Sequence, residues 1–319
     1  MKQHNPSIDI LKFFAAILIT NSHMEILYHP EYVKLATGGA IGDVLFFFCS
    51  GFTLFLGRMD RFDNWYKRRI NRIYPTVFAW ALVGAVFFNL HYDAVYQWIH
   101  GGGWFVTCIM IYYVVLYFIR KYMMNRLVLA FMLSSLIILI WYFFEDSSVR
   151  FMYGNTYFKW GHYFLFMLLG AAIGISQKQW KFNFKWDFIK LIGSIVIYYA
   201  LMIASDKSDI MAHLQIISLI PLLSITFYFY KVSNSEVLLK LYNTKVFGWI
   251  MGCISTLTLE IYVVQYSLFT DKMNSIFPLN LFIMFVFIAL VAYGVKVLSR
   301  IFSQTFSESP YNWRVIFKI

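Results

Sequence analysis

Apolar residues run in blocks along nearly the whole chain, separated by short clusters of charged, polar or turn-forming residues. Blocks of about 20 apolar residues are what a helix needs to cross a bilayer. The pattern predicts ten spans: Ile8 to Leu27, Ala40 to Gly57, Ile73 to Leu90, Trp104 to Ile119, Leu127 to Phe144, Trp160 to Ser176, Phe188 to Ala204, His213 to Tyr230, Val246 to Phe269 and Leu279 to Ser299. The expected fold is therefore all-α, a polytopic membrane protein built as a bundle of about ten transmembrane helices. With Asp9 and Lys12 at its start and no A-x-A-like site, the first run reads as a span and not as a cleavable signal peptide.

Composition agrees: 60% of the 319 residues are hydrophobic and only 13% are charged, a balance that excludes an ordinary soluble domain. Basic residues fix the orientation. With the N-terminus inside, 19 of the 27 Lys and Arg residues fall in inner segments and 5 in outer connections, so both termini are expected to be cytoplasmic. The net charge of +11 follows from this bias and from anionic lipid, so no nucleic-acid partner is implied. No connection exceeds about fifteen residues, and there is neither a low-complexity linker nor an internal repeat. One membrane domain, 1–319, with no appended soluble domain is the economical reading. Cys49, Cys108 and Cys253 fall within spans without C-x-x-C spacing, which suits packing better than a metal site or disulfide.

Polar residues at membrane depth carry the chemistry, because they are costly there and face a cavity or a partner. The stretch "AAILITNSHMEILYHP" (15–30) begins as membrane sequence and then places Asn21, Ser22, His23 and Glu25 where more Leu or Ile would be expected. Lys12 lies eleven residues before His23, about 16 Å of helical rise and within about 20° of the same face. One stripe of the first helix would then carry a cation near the cytoplasm and an imidazole deeper in; a Lys near a helix end can also simply snorkel. Asp43 opens the second span on the outer side, where it either orients His23 as in a base-plus-orienter pair or only helps hold two helices together. Glu25 would point about 200° away from His23 on a helix. Ser50-Gly51 in mid-span lets two backbones approach or leaves room for a slender ligand. In "WYKRRINRIYPTVFAW", Arg69 and Arg72 share a helix face, and Pro75 is expected in the first turns of the third helix. Such guanidinium groups beside a helix N-terminus would make a phosphate site, or they serve only as positive-inside anchors.

Several of these pieces in order resemble the membrane-bound acyltransferase-3 family, whose bacterial members acylate surface glycans. Lys12-x10-His23 matches an Arg-x10-His signature with Lys in place of Arg. "GDVLFFFCSGF" (42–52) matches a G-x-D-x-F-F-x-x-S-G-F-like second helix, and Arg69, Arg72 and Pro75 match R-x-x-R-x-x-P. "GGGWFVTCIMIYY" (101–113) resembles the family's Trp-Phe-led fourth helix, and "STLTLEIYVVQYSL" (255–268) resembles an S-x-E-I-Y-L-x-H segment. The chain departs from the family at Lys12, at Gln265, where His is frequent, and at Ile109 or Met110, near the place of a Glu in many members.

The resemblance implies an integral-membrane O-acyltransferase of the bacterial plasma membrane. It would transfer acetyl, or another acyl group, from cytoplasmic acetyl-coenzyme A to a hydroxyl of a cell-surface or lipid-linked glycan, with no resident cofactor and no metal. His23 would act as base or acyl carrier, with Asp43 orienting it. Lys12, Arg69 and Arg72 would hold the coenzyme, and Ser50, Trp104, Glu260 and Tyr262 are candidates for substrate contact or support. The outer loops His91 to Gly103 and Glu145 to Lys159 would set acceptor choice. The competing class is a glycan-lipid flippase or proton-coupled transporter, which His23, Asp43 and Glu260 at membrane depth also suit.

Overall fold

A computed structural model describes residues 5–88, 103–145, 152–154, 156–176, 180–306 and 308–318. Of the positions named above, Leu90 and 91–102 lie outside the described residues, and so do 146–151 and 155 of the second outer loop expected to set acceptor choice. The described residues form helices α1 (Pro6–Ser22), α2 (Gly39–Phe55), α3 (Phe62–Phe87), α4 (Gly103–Met123), α5 (Leu127–Phe144), α6 (Phe158–His162), α7 (Phe164–Ile175), α8 (Phe184–Lys207), α9 (Asp209–His213), α10 (Leu219–Ser233), α11 (Glu236–Tyr242), α12 (Lys245–Thr256), α13 (Thr258–Val264), α14 (Leu279–Thr305) and α15 (Trp313–Ile316), with short 3-10 turns between some of them and no strand. Among the described residues, seven helical runs are long and apolar enough to cross a membrane, or eight if the bent pair Lys245–Thr256 and Thr258–Ser267 counts as one. The protein is thus an all-α, multi-pass membrane protein. Large side chains left exposed, such as Val128, Ile137 and Phe144 on α5 and Phe282 and Leu290 on α14, suit a lipid surround.

A helix stands at each of the ten expected runs, but the bounds differ in ways that matter. The run Gly103–Phe144 is 42 residues long, about 63 Å if straight and twice the hydrocarbon thickness. A 3-10 turn at Met124–Arg126 divides it into α4 and α5. Helix α1 stops at Ser22 and not at Leu27, because Asn, Ser and His are weak helix formers. Asn21 turns outward from the helix instead: its Nδ2 donates to the carbonyls of Leu35 (2.8 Å) and Thr37 (2.9 Å), and its Oδ1 accepts from the Tyr28 hydroxyl (2.6 Å). Helix α3 begins at Phe62, eleven residues before the expected start, so Pro75 sits in its interior and not in its first turns. Lys and Arg are good helix formers with long apolar stems, and "YKRRINR" extends the helix beyond the apolar run. The ninth run breaks at Leu257, where α12 and α13 meet at 60°.

The chain divides into two compact units, the first made of 1–15, 40–58 and 116–251 and the second of 16–39, 59–115 and 252–319. In the first unit, α2 and α7 meet backbone to backbone. A Cβ on Gly51 would lie 1.9 Å from the Met167 carbonyl oxygen, and one on Gly170 would lie 2.1 Å from that of Phe48. The Ser50-Gly51 pair therefore serves the close approach, the first of its two readings. Helix α8 packs on α10, with Ser194 and Ser224 hydroxyls 2.7 Å apart and Lys231 donating to Asp187 at 2.6 Å. Tyr242 donates to the Asp9 carboxylate at 2.9 Å. Burial, and then that hydrogen bond, hold its phenol above the usual range, so it remains a donor.

In the second unit, α14 packs along α3, and α13 packs against both. The loop after α1 is tied to the segment before α14, since Asn274 Nδ2 donates to the Ile26 carbonyl (2.9 Å) and buried Asn280 Nδ2 to that of Leu27 (2.7 Å). Phe277 stacks on Tyr32 at 5.7 Å. These ties fix the chain immediately after His23.

Candidate active site

His23 is the first residue beyond α1. Its backbone N–H bonds the Thr20 carbonyl at 3.1 Å, a tight last turn that ends the helix. The imidazole is therefore at a helix end and half-buried, not in the middle of the helix. Its Nε2 lies 2.7 Å from the hydroxyl of Tyr266, and the two rings are 4.6 Å apart. Tyr266 belongs to the 3-10 turn Gln265–Ser267 that continues α13. A phenol on one ring nitrogen fixes the orientation of the imidazole, the role of an orienter beside a general base.

One turn earlier on the same element, Tyr262 is buried against Phe105 of α4, ring centroids 5.1 Å apart. Its hydroxyl lies beside Gly103, where a Cβ would be 3.5 Å away. Gly103 takes a φ of +63°, which glycine tolerates at the start of α4. Trp104 follows, edge-on to Phe105 at 5.9 Å. Spacing of i and i+4 thus lets one helix face present Tyr262 to α4 and Tyr266 to His23.

Farther along α4, Tyr113 meets Arg69 of α3. The guanidinium lies 4.9 Å from the ring centre of fully buried Trp65 and 5.8 Å from that of Tyr113, a stacked cation in the manner arginine favours. From Phe105 to Tyr113 is eight residues, about 12 Å of rise. Arg72 is exposed one turn beyond Arg69. Both arginines lie well inside α3, so the expected helix N-terminal phosphate site is not formed there, and any anion they hold is met by side chains alone.

Glu260 is fully buried in α13. Its Oε1 accepts from Thr76 Oγ1 of α3 (2.8 Å) and from Lys296 Nζ of α14 (2.9 Å), while Oε2 has no hydrogen-bond partner among the described residues. Lys296 also donates to the Thr256 carbonyl at 3.3 Å. That carbonyl is released from helical bonding by the break at Leu257, so the lysine satisfies the acceptor that the bend exposes.

The remaining expected residues fall in the first unit. Asp43 accepts a hydrogen bond from Tyr163 and faces the buried Lys159; neighbouring His162 bonds the Met152 carbonyl at 2.9 Å through Nε2. Half-buried Lys12 lies on α1 within electrostatic reach of Cys49. Ser50 sits on α2, its carbonyl accepting from Thr53 at 3.2 Å. Tyr266, Thr76 and Lys296 were not among the expected site residues. The signals for them are the Tyr262-x3-Tyr266 spacing and the need of a membrane-embedded Lys for an acidic partner.

A family model described as an acyltransferase domain matches residues 5–298. The chain belongs to the acyltransferase-3 family. No curated protein and no solved structure gives a match. Across that matched region this acyltransferase carries the three early motifs, and His23, Arg69, Tyr262 and Glu260 all lie within it.

Proposed function

We propose that this membrane acyltransferase moves an acyl group, most simply acetyl, from a cytoplasmic acyl-coenzyme A to a hydroxyl of a cell-surface or lipid-linked glycan. The chain would cross a bacterial plasma membrane ten times with both termini in the cytoplasm. The observation that carries this reading is that one unit holds both the His23–Tyr266 pair and, about 12 Å along α4 from the Tyr262 contact, the stacked guanidinium of Arg69. This rise of about 12 Å, from Phe105 to Tyr113 along α4, is a path a slender pantetheine arm could follow. Phosphates bound at Arg69 and Arg72 would let the thioester reach toward His23.

In the reaction, His23 takes the proton of the acceptor hydroxyl as its oxygen bonds the thioester carbonyl carbon. The C–S bond then breaks, and the coenzyme leaves as a thiol with the proton that His23 returns. Tyr266 holds Nε2 throughout. A base with an orienter is favoured over an acyl carrier because that hydrogen bond holds the ring in position.

Calorimetry with acetyl-coenzyme A on the purified full chain tests the reading. Wild type and His23→Ala bind, and the double variant Arg69→Ala with Arg72→Ala does not. Transfer of labelled acetyl to membrane glycan is then lost in His23→Ala. No binding to folded wild type sinks the acetyl-donor reading. Label retained covalently on the protein replaces the base with an acyl carrier.

A further inference from the structure

Two side chains close in sequence to the His23–Tyr266 contact are fully buried, and among the described residues their polar atoms meet no hydrogen-bond partner. Gln265, the residue before Tyr266, has neither its Oε1 nor its Nε2 hydrogen-bonded, and Thr20, whose carbonyl caps the His23 N–H, has an unbonded hydroxyl. Buried amides and hydroxyls are almost always paired in proteins, so these unpaired atoms, one residue from Tyr266 and three from His23 along the chain, mark a place where a polar guest would supply the missing partners. The chemistry of the guest follows from what these atoms offer. A carboxamide presents two donors and one acceptor side by side, and a threonine hydroxyl both donates and accepts. A thioester carbonyl or a phosphate oxygen accepts only; it would leave Gln265 Oε1 facing another lone pair. A cation would leave the Nε2 hydrogens unused. Hydroxyl groups, each donor and acceptor, satisfy every atom, and adjacent hydroxyls on a sugar ring match the fork of a primary amide.

We propose that Gln265, with Thr20, forms the acceptor subsite and holds vicinal hydroxyls of the glycan so that one of them faces His23. This rests on the acyl-transfer reading for its consequence, but the binding site itself is tested separately. The subsite makes Gln265 a specificity-determining residue of the acceptor half of the reaction, with no part in holding the coenzyme.

The experiment uses the full-length protein in detergent, as wild type, Gln265→Leu and Thr20→Val. A residue kept unsatisfied for a substrate burdens the empty protein, so Gln265→Leu raises the melting temperature by about 2–4 °C. A fall, or failure to fold, makes Gln265 structural and overturns the proposal. Methyl glucopyranoside at high concentration then serves as the vicinal-diol probe. Sugars stabilise proteins generally by exclusion, equally in all variants, whereas specific binding adds stabilisation in wild type alone. The expected result is a larger shift for wild type than for either variant, and equal shifts overturn the assignment. Acetyl-coenzyme A affinity stays unchanged in Gln265→Leu, and its loss would move the residue to the donor site. If wild type fails to bind acetyl-coenzyme A while the sugar shift still separates wild type from the variants, the acyl-donor reading falls and the hydroxyl subsite stands.

Discussion

Glu260 and Lys296 form a 2.9 Å ion pair in which the carboxylate is fully buried and a second donor, Thr76, shares the same oxygen. Helices α3, α13 and α14 are thereby joined at one acidic group. Removing the cation alone leaves a fully buried carboxylate bonded by Thr76, while removing both charges leaves only a void to fill. Lys296→Met is expected to destabilise the protein by about 2–3 kcal/mol, the lower side of the range for broken buried pairs because the lysine is partly exposed and membrane interiors temper such losses. Adding Glu260→Gln to Lys296→Met restores most of it. Thermal unfolding of the three proteins in detergent checks this, and a double variant less stable than Lys296→Met would remove the pair as the cause.

Tyr266 touches His23 in two ways, through its hydroxyl and through its ring. Tyr266→Phe keeps the ring packing and deletes the hydroxyl alone. The expected result is a kcat for acyl transfer lowered about 10–100-fold with little change in coenzyme affinity, against a loss of roughly 10²–10⁴ for His23→Gln, which removes the base itself. Steady-state kinetics with labelled acetyl-coenzyme A separates the two. Unchanged kcat in Tyr266→Phe would show that the hydroxyl does not orient the imidazole.

Arg69 and Arg72 are predicted to be unequal. Arg69 is held between Trp65 and Tyr113, so its guanidinium is positioned before any ligand arrives, and lysine reproduces neither the stack nor the fork. Arg69→Lys should weaken acetyl-coenzyme A binding about 10-fold or more. Arg72→Ala, at an exposed position, should cost only about 2–5-fold, and its share should fade at high salt. Calorimetry at two ionic strengths reads both effects.

Apolar runs made the spans legible because transfer into lipid depends on composition more than on context. The ends of those spans were not, since local partners decide them. Asn21 finds three hydrogen bonds outside α1 and so ends it before His23. Basic residues before Ile73 extend α3 and leave Pro75 inside it. At Leu257 the bend depends on a lysine 39 residues later in the chain that takes up the freed Thr256 carbonyl, a relationship that no local window contains. Candidates were read by different routes: His23 and Glu260 as polar types at membrane depth, Arg69 from its cytoplasmic basic cluster, and Tyr262 from the family resemblance. Their partners were not, and for Asp43 the recorded neighbours are Tyr163 and Lys159 of its own unit. Pairing at a distance is a property of packing, and a single sequence carries it only as the demand that each buried charge be answered.

Glycine in these helices has two opposite meanings, and substitution by alanine tells them apart. At Gly51 and Gly170 the added methyl would fall 1.9 Å and 2.1 Å from carbonyl oxygens of the facing helix. Backbone cannot swing aside as a long side chain does, so α2 and α7 must separate along their contact, with a loss of about 1–3 kcal/mol or more for each change. At Gly193 of α8 and Gly294 of α14 nothing lies within 4 Å of the same methyl. There alanine only stiffens the unfolded chain and improves helix propensity, a gain of about 0.5–1 kcal/mol. Melting temperatures of the four single variants should therefore move in opposite directions, two down and two up. A fall at Gly193 or Gly294 as large as that at Gly51 would show that propensity and helix contact do not govern these positions, and would point instead to a partner pressed against the outer faces of α8 and α14.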